Sequence, residues 1–341
     1  MMAEILPSIK RGISKFSLLA SKFKRDHLKR SFHNISLPFS MFAFCTSHFD
    51  ESKDNSIPTC RASSANTSPN TFVDRYQIDS RNKLGAGNYG TVYKAFDRFT
   101  GEDIAIKTVF RNRMSDLSVK DEALIMASAK HPNIVGLRDV LKDNNSWHIV
   151  MDLAKGSELY DRLVKRGLMK RETTVKVMKQ LIEAVAYLHN NDIVHGDIKP
   201  ENCILDETEG CDPFLKLADF GSAFFVGDVD AKNKDYTVSY SPPEVVSRRG
   251  LMSPSGDIWS LGIMACILLT GSHPFDYDDE ASEELLADRI VNDRPFFNRS
   301  WNAVDEQAKC IILRALSKNP ALRPTAEEML SCPWIKRDPI C

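Results

Sequence analysis

From residue 76 the chain alternates apolar and polar positions in short runs. "YQIDSRNKL", "GTVYKAFD" and "GEDIAIKTVF" are β-branched or aromatic stretches separated by Gly or Asp turns, a pattern that predicts three strands. "SVKDEALIMASAK" reads as a helix, and two more short strands are predicted near 137–141 and 146–151. Beyond residue 155 helices take over, at 158–166, 172–190, 256–271, 282–290, 304–317 and 325–331. A small sheet followed by a larger helical body is an α+β arrangement of two lobes with a cleft between them.

Residues 1–72 differ in character. They are basic and Ser-rich and run into "SIPTCRASSANTSPNT", a polar low-complexity stretch that reads as disordered because it has too little apolar surface to bury. Within 5–24, Ile5, Leu6, Ile9, Ile13, Phe16 and Leu19 interleave with lysines at roughly helical spacing. Two readings stand side by side: an amphipathic targeting or membrane-surface segment, and a solvated tail with weak helicity. The first implies an organelle address, the second a cytoplasmic protein.

Charge sharpens this division. Residues 1–49 hold eight Lys/Arg against two Asp/Glu, a charge of +6 in a chain whose net charge is −1, so the remainder carries about −7. That balance argues against a dedicated nucleic-acid binder. The eight cysteines form no C-x-x-C pair and predict reduced thiols rather than a zinc or redox motif. The longest apolar run, "IWSLGIMACILLTG" at 258–271, has fourteen residues, too few to span a bilayer and suited to a buried core helix.

Chemistry enters at "KLGAGNYGTVYKA", which sets Gly85, Gly87 and Gly90 between two strands with Val92 two residues later. Glycines there let the backbone approach phosphate oxygens and donate N–H groups. No helix follows, which disfavours a dinucleotide-binding turn. Lys107, on the strand "IAIK", is placed to hold non-transferring phosphates, although a lone strand lysine is usually a solvated one. The constellation changes the odds: Glu122 on the next helix, Asp197, Lys199 and Asn202 in "HGDIKPEN", Asp219 in "LADFGSA", then "YSPPE", "DIWSLG", "GSHPF", "NPALRP" and "CPWI" in order.

This order of motifs resembles the eukaryotic protein kinases over about 76–336. The resemblance implies a bilobal kinase fold that uses ATP and Mg²⁺ to phosphorylate protein Ser/Thr hydroxyls. It implies that Leu84, Gly85, Ala86, Gly87, Asn88, Tyr89 and Gly90 cover the phosphates, and that Lys107, held by Glu122, grips them. Val92, Ala105 and Ile204 would enclose the adenine. Met151 takes the gatekeeper place, Asp152 and Ala154 offer backbone groups, and Glu158 lies near the ribose. Asn202 and Asp219 would hold Mg²⁺, Asp197 would orient and deprotonate the attacking hydroxyl, and Lys199 would lie along the γ-phosphate. Met126, Leu137, His195 and Phe220 match the regulatory spine, Asp257 would anchor the catalytic loop, and Glu244 and Arg323 would pair.

"DIKPEN" and Thr237 look like Ser/Thr kinases, and the stretch from "LLTGSHPF" to "CPWI" resembles the calmodulin-dependent and calcium-dependent group. The sequence contains no D-x-D-x-D-G calcium loop and no basic amphipathic C-terminal helix, so no direct calmodulin or EF-hand element is expected. Glu158 and Glu201 sit where similar kinases bind an arginine of the substrate, which implies a basic substrate preference; a reading as solvated carboxylates stands beside it. Three activities compete: an active protein kinase, a pseudokinase scaffold and a small-molecule kinase. The full charged set favours the first, and Thr237 with "SPPE" disfavours the third.

Gly196 departs from the family, which usually carries arginine before the catalytic aspartate. With no guanidinium there, and no hydroxyl between Ser222 and Tyr236, the expectation is activity without activation-loop phosphorylation.

Overall fold

A computed structural model describes residues 72–86, 90–111, 114–208, 211–228, 235–276 and 281–336, all within one compact unit. The N-terminal extension and Gly87, Asn88 and Tyr89 lie outside the described residues.

A short helix α1 (Phe72–Arg75) leads into a five-stranded antiparallel sheet of β1 (Tyr76–Ala86), β2 (Gly90–Asp97), β3 (Glu102–Phe110), β4 (Leu137–Lys142) and β5 (Ser146–Asp152). The spatial order is β1-β2-β3-β5-β4, which puts β3 in the middle. Because side chains alternate along a strand, Ile104 and Ile106 enter a core cluster with Tyr76, Ala95 and Val150. Ala105 and Lys107 are one residue out of phase and lie on the opposite face. The helix α2 (Asp116–Ser128) connects β3 to β4 and starts at Ser115, whose hydroxyl accepts from the Ser118 N–H. Its buried face consists of Val119, Ala123, Ile125, Met126 and Ala127, with one carboxylate among them, Glu122.

The second lobe is helical: α3 (Leu159–Arg166), α4 (Arg171–Asn190), α5 (Pro243–Val246), α6 (Pro254–Thr270), α7 (Glu283–Asn292), α8 (Glu306–Ala315), α9 (Ala326–Ser331) and α10 (Pro333–Lys336). In α4, Val177, Met178, Leu181, Ile182, Val185 and Leu188 form a stripe at helical spacing, and all are fully buried. Truncating one of them, as in Leu181→Ala, leaves a cavity and costs about 2–5 kcal/mol. The fourteen-residue apolar run becomes α6, buried from Gly256 to Cys266 and closed by Gly271 in the left-handed conformation (φ 75°). It is a core helix, and among the described residues no helix is long and apolar enough to cross a membrane.

Under the cleft lie elements that periodicity missed: β6 (Ser157–Glu158), β7 (Ile193–Val194), β8 (Cys203–Asp206), β9 (Phe214–Leu217) and β10 (Phe224–Phe225). They form a three-stranded sheet, β6-β8-β9, and a two-stranded one, β10-β7. Strands of two to four residues are too short to show an alternation. They nevertheless place the candidate site, since the loop of Asp197 runs between β7 and β8 and Asp219 follows β9.

Candidate active site

The central strand fixes the first cation. In β3, Lys107 is paired with Val92 of β2 and Ile149 of β5. Its Nζ donates to Glu122 Oε1 at 2.7 Å and to Asp219 Oδ1 at 2.9 Å, so the lysine ties sheet, helix α2 and the segment after β9 together. Burial alone would lower the Lys107 pKa, but the two carboxylates outweigh it and hold the ammonium charged. Burial would likewise raise Asp219, and the charge and hydrogen bond of Lys107 with the Gly221 N–H bring it below the usual carboxylate range. Glu122 Oε2 is buried without a hydrogen-bond partner.

The second cluster is the catalytic loop, and its backbone hangs from the core helix. Asp257 in α6 is fully buried, and its carboxylate accepts from the His195 N–H at 2.9 Å, the Gly196 N–H at 2.9 Å and His189 Nε2 at 2.9 Å. The His195 ring donates from Nε2 to the Ala218 carbonyl (3.1 Å) and packs edge-on to Phe220, with centroids 5.1 Å apart. That loop delivers Asp197 into a closed set of contacts. Thr237 Oγ1 donates to Asp197 Oδ1 (2.7 Å) and accepts from Lys199 Nζ (2.8 Å), while Lys199 Nζ also lies 2.7 Å from Asp197 Oδ2. Asn202 Nδ2 donates to the Asp197 carbonyl (2.8 Å) and to Oδ2 (3.1 Å). A carboxylate held by an ammonium, a hydroxyl and an amide is positioned to take a proton from a hydroxyl brought beside it.

A family model described as the protein kinase domain matches residues 78–335. The chain belongs to the protein kinase family. The kinase domain is 36% identical over 267 residues to calcium-dependent protein kinase 5 of Plasmodium falciparum, covering 77% of this chain and 46% of that protein. It is 34% identical over 300 residues to calcium/calmodulin-dependent protein kinase type IV of Homo sapiens, covering 82% and 62%. To calcium/calmodulin-dependent protein kinase cmkA of Emericella nidulans it is 37% identical over 259 residues, covering 74% and 61%. The chain thus spans about half the length of several curated relatives that it matches.

Protein kinases use ATP and a divalent metal, and the cleft fits both. Asn202 Oδ1 and the second Asp219 carboxyl oxygen take no hydrogen bond among the described residues, which leaves two hard oxygen ligands. Among the described residues no cluster of three or more acidic, His or Cys side chains forms a metal cage. A hard cation held by one or two protein oxygens completes its shell with phosphate oxygens and water. On the nucleotide side, Ala105 is buried, while Val92 and Ile204 are partly exposed and Leu84 is 42% exposed. Ala154 lies past the end of β5, and its N–H bonds no other described residue; the Asp152 N–H is taken by the Gly136 carbonyl (2.9 Å).

The kinase domain therefore brings Lys107, Glu122 and Asp219 into one cluster and Asp197, Lys199 and Asn202 into a second, linked by the Ala218 N–H to the Asn202 carbonyl (2.8 Å), while Gly87, Asn88 and Tyr89 lie outside the described residues. Two details escaped the sequence. One is Thr237 as the bridge between Asp197 and Lys199, signalled only by its distance from Glu244. The other is the backbone of Gly196, at φ 79°, where an added Cβ would sit 3.0 Å from the Ser222 carbonyl oxygen.

Proposed function

We propose that this chain is an active, Mg²⁺-dependent serine/threonine protein kinase. The observation that carries the reading is the Asp197–Thr237–Lys199 network, formed together with the Lys107–Glu122 pair. In the reaction a substrate hydroxyl oxygen bonds to the γ-phosphorus of ATP as the bond to the β-phosphate bridging oxygen breaks. ADP leaves, and the hydroxyl proton passes to Asp197. The transition state spreads negative charge over the transferring group, so positioned cations account for most of the catalysis. Lys107 holds the non-transferring phosphates and Lys199 the transferring one. Bound at Asn202 and Asp219, Mg²⁺ supplies charge neutralisation. Nothing in this set is missing, as it would be in a scaffold that had lost turnover.

The acceptor side is acidic. Burial, then the charges of Asp161 and Glu201, raise the Glu158 pKa, which places these carboxylates within reach of one another. Glu201 Oε2 is buried without a partner. Such a pair favours a substrate with a basic residue near its acceptor.

Activity is further proposed to be independent of activation-loop phosphorylation. The catalytic loop is held through its backbone by Asp257, and Gly196 contributes no cation that would need neutralising.

Mg-ATP with a basic Ser/Thr peptide tests the reading: wild type incorporates phosphate, while Asp197→Asn and Lys107→Met do not. Equal incorporation by wild type and Asp197→Asn would overturn it. Retention of activity after phosphatase treatment is the expected result for the loop.

A further inference from the structure

Glu122 reaches Lys107 only if α2 keeps its orientation over the sheet, so whatever holds α2 decides whether the nucleotide site is formed. At its C-terminal end the helix is tied to α4. Tyr187 Oη donates to the Ser128 carbonyl (3.3 Å) and accepts from the Lys130 N–H (3.2 Å). Its N-terminal end is tied to the sheet through Asp116, the first residue of the helix.

The Asp116 carboxylate uses both oxygens. Oδ1 accepts from the Trp147 indole Nε1–H at 2.8 Å, and Oδ2 accepts from Lys142 Nζ at 2.6 Å, with Arg111 Nε 3.6 Å from Oδ1. Lys142 and Trp147 face each other across the β4–β5 ladder, and the Lys142 ammonium sits 4.8 Å from the Trp147 ring centre. Trp147 is buried and pairs with Val109 of β3, two residues from Lys107. The carboxylate therefore contacts two strands of the sheet, β4 and β5, and Arg111, the residue that follows β3. Glu122 lies six residues along the same helix, about 9 Å by helical rise. A negative side chain in the first turn also suits the helix dipole.

We propose that Asp116 is a positioning residue for phosphoryl transfer: its clamp on Lys142 and Trp147 orients α2 so that Glu122 meets Lys107. The inference rests on the nucleotide site described above. The Asp116–Lys142 ion pair is solvent-exposed, and exposed ion pairs hold little energy. It is suited to biasing the orientation of one helix rather than to holding the fold. Where only a fraction of molecules has the competent arrangement, apparent nucleotide affinity falls by that fraction, and saturating nucleotide draws the population back.

The test measures KM and kcat for ATP, together with binding of a fluorescent ATP analogue with Mg²⁺. Asp116→Ala is expected to raise KM and the dissociation constant roughly three- to tenfold, with kcat at saturating ATP within about twofold of wild type. Asp116→Asn keeps an acceptor for the Trp147 N–H and falls between, and Trp147→Phe follows Asp116→Ala. In a Lys107→Met background there is no pair to position, so Asp116→Ala adds nothing further to the loss of nucleotide affinity. An equal loss in that background, or a lowered melting temperature with unchanged KM, overturns the proposal. Hydrogen exchange of α2 amides without nucleotide is expected to quicken in Asp116→Ala. Unchanged exchange counts against the clamp even if the wild type binds no ATP, whereas absent ATP binding counts against the nucleotide site itself.

Discussion

Asp257 holds Gly196 by its backbone: the glycine N–H donates to Oδ1 at 2.9 Å while the neighbouring His195 N–H donates to Oδ2 at 2.9 Å. The core helix thus sets the catalytic loop without using any side chain at position 196.

Removing that carboxylate leaves buried donors without partners. Asp257→Ala should destabilise the fold by about 2–5 kcal/mol, since each buried unsatisfied group costs about 1–3 kcal/mol. Asp257→Asn keeps one acceptor and should lose less. Denaturant unfolding gives the stability, and kcat should fall alongside it because Asp197 moves with the loop. Wild-type stability in Asp257→Ala would show that the loop is held elsewhere.

Gly196 carries a second, steric constraint. Its φ of 79° is in the left-handed region, and an added Cβ would sit 3.0 Å from the Ser222 carbonyl oxygen. Beside it lies a cavity of about 380 Å³ lined by Ser222, Phe224, Tyr236, Arg248 and Met252 among others, so a long side chain has room but its backbone does not. Gly196→Ala should lower stability by about 1–2 kcal/mol, the cost of that conformation for an L side chain. Gly196→Arg should lose at least as much. Thermal melts of the two variants check this, and an unchanged melting temperature in both would contradict it.

The sequence exposed this site unevenly, for a physical reason. Charged and amide side chains suited to phosphate and metal stand out when they sit in stretches of fixed spacing, so Lys107, Glu122, Asp197, Lys199, Asn202 and Asp219 could be singled out one by one. Helix α4 was legible because twenty residues carry a period, and α6 because an unbroken fourteen-residue apolar run suits a helix buried on all sides. The short strands β6 to β10 were not, since two to four residues carry none. The charge lost at Gly196 could be read from the missing side chain. The left-handed backbone could not, because nothing in "HGDIKPEN" reports the approach of Ser222. Thr237 and Asp116 were hidden likewise: each acts through partners distant in the chain, which only the fold brings close.

The Arg323–Glu244 pair tests whether a buried ion pair holds this lobe together. Both contacts are 2.7 Å, Nη1 to Oε1 and Nη2 to Oε2, and the arginine side chain is fully buried and stacks 5.1 Å from the Trp259 ring centre. Losing one partner leaves an uncompensated buried charge. Glu244→Gln should therefore cost about 3–5 kcal/mol, whereas Glu244→Leu combined with Arg323→Met should recover much of that loss. Denaturant midpoints of the single and double variants measure it. A double variant no more stable than Glu244→Gln would mean that the Arg323 bonds to the Ser317 and Ser255 carbonyls matter more than the pair.

Glu158 should make recognition of a basic substrate depend on pH. Burial, then Asp161 and Glu201, raise its pKa above the ordinary 4.5, so it takes up a proton at a higher pH than an exposed glutamate. A protonated carboxyl no longer attracts a guanidinium. As pH falls through the raised pKa, KM for an arginine-containing peptide should climb, while KM for the same peptide with Arg replaced by Gln stays flat. A bound cation favours the ionised form, so the climb in KM reports the free enzyme. Glu158→Gln should give the high peptide KM at every pH when ATP is saturating, with kcat little changed because the residue lies outside the Asp197–Lys199 cluster. Parallel pH profiles for the two peptides would remove Glu158 from substrate recognition while leaving the assignment of Asp197 and Lys107 untouched.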